Sequence, residues 1–173
     1  MPKGVTVWFT GLSGAGKTTI CRLLEKQLMT DLKLELLDGD EIRRHFSSNL
    51  GFSREERMTH IKRVAYICKL LNRNGVFVLA SFVSPYQEMR DYCRTEIGTY
   101  LEIYVKCPLE QCILRDVKGL YAKAINGEIK QFTGISDPFE EPVHPNLIVE
   151  TDKETAEECA SKVTTYLKKL GYI

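Results

Sequence analysis

Gly11-Leu-Ser-Gly-Ala-Gly-Lys17-Thr18 sets three glycines, a lysine and a hydroxyl at the spacing G-x-x-x-x-G-K-[ST]. That combination suits the cradling of a polyphosphate. Glycines let the backbone curl so that successive N–H groups point at phosphate oxygens. A helix begun at Lys17 adds the positive end of its dipole. The Lys17 ammonium reaches the β- and γ-phosphates, and the Thr18 hydroxyl is placed to ligate Mg²⁺. Candidate ATP contacts are therefore Gly11, Leu12, Ser13, Gly14, Ala15, Gly16, Lys17, Thr18 and Thr19, with Mg²⁺ carried by the nucleotide. A plain turn joining strand to helix is the competing reading. The motif fixes a nucleotide and leaves the reaction open.

A second group of chemistry-bearing residues lies in "LLDGDEIRRHFSSNLGFSREERMTHIKRV". Asp38 and Asp40 follow a short apolar run, and in parallel α/β sheets such strand ends line the ligand crevice. Asp40 and Arg43 are three apart at a helix start, as Arg57 and His60 are on the next helix, so each pair can share a face. A carboxylate beside cations and facing a γ-phosphate is what phosphoryl transfer to a hydroxyl requires. Surface salt bridging is the alternative, and spacing alone does not decide between them.

These residues need a frame, and the apolar pattern supplies one. Val5–Thr10, Leu34–Leu37, Val76–Ala80, Thr99–Val105 and Leu147–Val149 read as short strands. Helical periods run from about Lys17 to Asp31, from about Ser53 to a Gly75 cap, from Pro85, over Pro108–Asp116, and over Glu154–Leu170. Ser53 with Glu56 three residues on has the form of a capping box. The alternation predicts an α/β fold, a mainly parallel five-stranded sheet with helices on both faces. Residues 117–145 hold glycines, three prolines and few apolar pairs, and read as a long, partly helical lid.

The 173 residues are expected to form one domain, 1–173, with a sizeable core. A net charge of +1 offers no global field for nucleic acid or membrane, so any anion site must be local. The longest apolar stretches, such as "VFVLASFV", are too short to span a bilayer. "MPKGVTVWF" has no signal-peptide layout, and a cytoplasmic protein is expected. The six cysteines form no C-x-x-C pair and are expected as buried free thiols.

"GLSGAGKTT", "DGDEIR", "LGFSREER", "SPY", "RDVKGLYAKA" and "GEIKQFTGISDPFEEP", in that order over nearly the whole chain, resemble the adenylyl-sulfate kinase family. The resemblance implies a three-layer P-loop NTPase-like fold and Mg-ATP as donor. It also implies 3′-phosphoadenylyl sulfate as product and, usually, a homodimer. Asp40 would meet the ribose 3′-hydroxyl as base or orienter, and Arg43 and Arg57 would bind the phosphosulfate. Phe52 and Phe132 resemble the aromatics that sandwich the adenine, although periodicity alone favours core packing for both.

By the same resemblance, Val83 and Ser84 stand beside the cleft. Ser84 is read first as a hydroxyl near the reacting groups, and less readily as a phosphoserine. Its plainer role is a helix N-cap before Pro85. Lys118, Gly119 and Leu120 would belong to the lid, with Lys118 neutralising the transferring phosphoryl group, and Arg115 resembles a contact to the ATP base. Without the resemblance, a solvated loop lysine is the favoured reading of Lys118.

Two positions depart from the family pattern. His60 replaces the common Asn and brings a group that ordinarily titrates near neutral pH, and Phe139 replaces the usual Tyr. Two other readings compete with the family's activity. One is a P-loop kinase for a nucleoside monophosphate, gluconate or shikimate. The other is a catalytically silent nucleotide-binding module.

Overall fold

The computed structural model describes residues 4–173, so the first three residues of the amino-terminal reading lie outside it. Five strands, β1 (Thr6–Thr10), β2 (Leu34–Asp38), β3 (Phe77–Ser81), β4 (Tyr100–Lys106) and β5 (Leu147–Glu150), form one sheet in the order β2-β3-β1-β4-β5. Every pairing is parallel, as the strand–helix alternation requires. The helices are α1 (Lys17–Leu28), α2 (Gly39–Phe46), α3 (Arg54–Arg73), α4 (Gln87–Ile97), α5 (Leu109–Arg115), α6 (Leu120–Ile125) and α7 (Ala156–Lys169).

Central strand β1 is buried along its whole length, and its side chains alternate between two cores. Val7 and Phe9 join Leu24 of α1 and Val163 of α7 on one face. Trp8 joins Val64 of α3 and Met89 of α4 on the other. The sheet is thus covered on both sides, which is why its inner strands read as continuous apolar runs. The cysteines sit within these layers, and all six are free and buried.

The caps follow the expected chemistry. Ser53 and Glu56 close a reciprocal capping box on α3, and Thr155 and Glu158 do the same on α7. Element bounds move by a few residues, as at the end of α1, where the chain turns after Leu28. At the start of α4 the shift has a cause. Ser84 adopts a left-handed φ of 40°, and the chain then runs extended to Tyr86, which occupies the N-cap. Pro85 therefore precedes the helix instead of opening it, and Ser84 is not its cap.

Residues 117–145 contain α6 and an isolated parallel bridge between Thr133 and Asp137, and otherwise no regular element. No helix among the described residues is long and apolar enough to cross a membrane.

Candidate active site

Strands β1, β2 and β3 end on the same edge, and a cavity of about 570 Å³ opens beyond them. The β1–α1 turn forms one wall. Gly11 passes so close to β4 that a Cβ there would lie 2.4 Å from the Val105 carbonyl oxygen, so no larger residue fits. Gly16 holds φ at 103° at the N-terminus of α1, where no side chain caps the helix. The first amides of α1 are thereby left to an anion.

Ser13, Gly14, Gly16, Lys17, Thr18 and Thr19 line the cavity. Gly11 and Leu12 present their carbonyls to Lys17 Nζ, which donates to each at 2.8 Å. Ala15 is buried, its carbonyl accepting from Thr151 Oγ1 at 2.6 Å. Burial, reinforced by the Lys118 charge, lowers the Lys17 pKa to about 8.

Thr18 Oγ1 donates to Asp38 Oδ2 at 3.0 Å and lies 3.3 Å from Ser81 Oγ. Asp38 Oδ1 meanwhile accepts from the amides of Asp40 and Glu41 and caps α2. One carboxylate thus ties the phosphate loop to the helix that carries Asp40. Asp40 and Lys118 both line the cavity and form an ion pair across it. The lid is therefore latched to α2.

The opposite wall is cationic and aromatic. Arg43 donates to the Gly51 carbonyl, and its guanidinium stacks 4.1 Å from the Phe52 ring centroid. Arg57 donates to the carbonyls of Phe52 and Gln131 and to Thr133 Oγ1, with Asp137 3.6 Å away. Burial lowers the pKa of both arginines, and for Arg43 the nearby Arg57 charge adds to the effect. Phe52 is 49% exposed, so its core-packing reading does not hold. Phe132 has both characters, since it lines the cavity and also packs edge-on against Tyr121 at 5.0 Å.

His60 faces the same cavity, but it does not titrate near neutral pH. Its ring is buried, Nδ1 is 2.8 Å from Ser47 Oγ, and burial beside Arg43 and Arg63 lowers its pKa to about 4. Val83 and Ser84 complete the wall at the end of β3. Ser84 Oγ accepts from the Trp8 indole N–H at 3.0 Å and donates to Thr10 Oγ1 at 2.9 Å. Thr10 passes the chain on to the Val83 carbonyl at 2.8 Å. The single proton of the Ser84 hydroxyl is thus spent inside the sheet.

Leu120 lines the cavity, whereas Gly119 serves as the left-handed N-cap of α6 at φ 66°. Arg115 lies outside it and braces the phosphate loop, donating to the Thr151 carbonyl at 2.6 Å and the Gly14 carbonyl at 3.3 Å. Sequence reasoning missed several supports, among them Ser81, Thr151, Trp8 and Tyr121, whose hydroxyl donates to the Ser13 carbonyl at 2.7 Å. A polar residue ending a buried strand, as Ser81 does, is a signal that could have been read.

Comparisons with known proteins bear on this site. A family model described as adenylylsulphate kinase matches residues 3–150. An adenylyl-sulfate kinase of Halothermothrix orenii is 55% identical over 99% of this chain and 93% of its own length. One from Rippkaea orientalis is 52% identical over 99% and 95%. The APS kinase of Mycobacterium tuberculosis, solved in complex with AMPPNP and APS, superposes with a TM-score of 0.92 at 38% identity, over 97% of this chain and 99% of that one.

Proposed function

This chain belongs to the adenylylsulphate kinase family, and from that membership and its cavity we infer that it phosphorylates adenosine 5′-phosphosulfate on the ribose 3′-hydroxyl. ATP is the donor, and the products are 3′-phosphoadenylyl sulfate and ADP. The observation that supports the reading is one cavity lined by the candidate residues for both substrates. It holds the phosphate loop with Lys17 and Thr18, and also Arg43, Arg57, Phe52 and Phe132, with Asp40 on the same cavity wall.

Lys17 leaves the Gly11 and Leu12 carbonyls for the β- and γ-phosphate oxygens, which are stronger acceptors because they are charged. Arg43 and Arg57 hold the phosphosulfate, and the adenine stacks between Phe52 and Phe132. The Phe52 face that Arg43 covers is freed as the guanidinium turns to the anion. His60, Val83 and Leu120 fill out the acceptor side, Gly119 sets the start of α6 beside it, and for Arg115, which lies outside the cavity, family resemblance alone supports a contact to the ATP base.

Asp40 accepts a hydrogen bond from the 3′-hydroxyl and orients its oxygen toward the γ-phosphorus. In a loose transition state this alignment matters more than early proton removal. Lys118 then exchanges Asp40 for the charge gathering on the transferred group. The oxygen donors Thr18, Asp38 and Ser81 fit a hard cation, so Mg²⁺ would be held there with the nucleotide. When bound it neutralises phosphate charge. We read the enzyme as a cytoplasmic homodimer; the six buried free thiols support a reducing compartment, and family resemblance supports the dimer.

The test is a coupled ADP-release assay offering adenylyl sulfate beside AMP, gluconate and shikimate. Turnover with adenylyl sulfate should exceed the others by orders of magnitude. Equal or faster turnover with any of them overturns the reading.

A further inference from the structure

Arg90, on α4, is fully buried although it belongs to none of the groups that touch the cavity. An arginine is kept inside a protein when most of its donors are used, and of the three guanidinium nitrogens of Arg90 only Nε is without a partner. Here Nη1 donates to the Ser84 carbonyl at 2.6 Å. Nη2 donates to the Glu140 carbonyl at 2.5 Å and to Gln87 Oε1 at 2.9 Å. Ser84 belongs to the cavity wall, where it holds its left-handed φ, and Glu140 belongs to the closing stretch of the lid.

The contacts around this fork repeat the same connection. The Glu140 amide donates to the Pro85 carbonyl at 2.7 Å, and Glu140 Oε2 accepts from the Gln87 amide at 2.7 Å. Phe139 lies over the guanidinium at 5.7 Å and stacks on Tyr104 of β4. Glu102, also fully buried, supplies the main charge that offsets the cation. Ser84 and Gln87 are thus joined to Phe139 and Glu140 through one planar guanidinium.

We propose that Arg90 is a positioning residue for the acceptor half of the site, locking the end of the lid onto the Val83–Ser84 wall. The proposal rests on the activity inferred above. The lid segment that Arg90 anchors continues back through Asp137, Thr133 and Gln131, the partners of Arg57. Loosening the anchor therefore displaces Phe132 and the cage around Arg57, both on the acceptor side. The phosphate loop is braced separately, by Thr151 and Tyr121. Arg90 thus governs adenylyl sulfate and leaves ATP untouched.

Arg90→Lys keeps the charge but replaces a two-pronged fork by a point donor, which cannot serve both carbonyls in this geometry. Losing one such bond should raise the KM for adenylyl sulfate about tenfold, with the KM for ATP unchanged. Amide hydrogen exchange at Glu140 should quicken about tenfold while β1 and β4 keep their protection. Gln87→Ala, at a partly exposed position, removes one acceptor of the same fork. It should shift both readouts in the same direction by less, and it serves if the lysine variant does not fold.

A merely structural arginine would lower the active fraction and hence the apparent kcat, with both KM values intact. That result, an equal rise in both KM values, or unchanged Glu140 exchange would overturn the proposal. If the wild-type protein released no ADP with adenylyl sulfate, the inferred activity would fall, and the exchange arm would still decide whether Arg90 anchors the lid.

Discussion

Lys118, at the start of the lid, is ion-paired with Asp40, in the first turn of α2. The two side chains are 51% and 69% exposed, so the pair is screened and contributes little to stability. Its importance is positional, because it holds the proposed acceptor-orienting carboxylate and the proposed charge-neutralising lysine on the same cavity. On the proposed reading, substrate enters by separating them. Asp40→Asn keeps shape and loses charge, and is expected to lower kcat by about a hundredfold or more while ATP binding changes little. Steady-state kinetics with an ATP-binding titration checks this; unchanged turnover removes Asp40 from the role.

The same pairing predicts non-additivity. If Asp40 and Lys118 act on one transition state, the second truncation should cost much less than the first. A double-mutant cycle on kcat with Asp40→Asn and Lys118→Ala measures that coupling. Fully additive losses would show that the ion pair is incidental to turnover.

Lys17 gives a pH prediction. Its pKa in the nucleotide-free protein is lowered to about 8, first by burial and then by Lys118. Phosphate oxygens favour the protonated form and raise the pKa in the complex. Below about pH 7 Lys17 is charged in both states, so its contribution to ATP affinity should be flat. As pH rises past about 8 the free protein loses the proton that the complex must regain, and affinity should fall, by at most about tenfold per pH unit. Calorimetric titration in buffers of differing ionisation enthalpy should also detect proton uptake above pH 8. Lys17→Ala should bind ATP weakly and without this dependence.

Much of this site can be read from the sequence because it depends on local backbone geometry. A phosphate cradle needs glycines at Gly11 and Gly16 and a lysine beside them, and all lie within one turn. The strand–helix alternation likewise leaves few ways to build the sheet. The supports are different in kind. Arg90 meets Glu140, 50 positions along the chain, and Trp8 meets Ser84, 76 positions along. A buried arginine on an otherwise amphipathic helix looks like a surface charge until the lid closes over it. The beginning of α4 was hidden for a similar reason, since the left-handed turn at Ser84 is held by contacts from β1 and α4. His60 shows the converse error, where residue type suggested a titration that burial removes.

His60 should therefore leave the activity profile between pH 6 and 8 alone and act on acid stability. Its folded-state pKa of about 4 lies below the ordinary value of 6.5. Between those values the unfolded chain takes up a proton that the folded one refuses, so stability should fall as pH drops from 6.5 toward 4. Above 6.5 the effect vanishes. The shift corresponds to a loss on the order of 3 kcal/mol at most. Thermal unfolding of His60→Asn across this range should show a smaller acid-induced decrease in Tm than wild type. An identical decrease in both proteins would place the titrating groups elsewhere.

Ser84 allows the most direct choice between two chemistries. A phosphate-accepting serine must turn its oxygen toward the γ-phosphate and give up its proton. Here that oxygen accepts from Trp8 and its proton is directed to Thr10, both within the sheet. Ser84→Ala should therefore retain kcat within a few-fold, while leaving the buried indole N–H of Trp8 without its partner. That orphaned donor should lower stability by about 1–3 kcal/mol. Because Trp8 is the only tryptophan in the chain, its fluorescence should also report the lost hydrogen bond. Parallel measurement of ADP release, Tm and emission separates the cases. A folded Ser84→Ala protein with no turnover would make the hydroxyl an obligatory participant, whereas an active protein with a lowered Tm leaves it as a strut of the cavity wall.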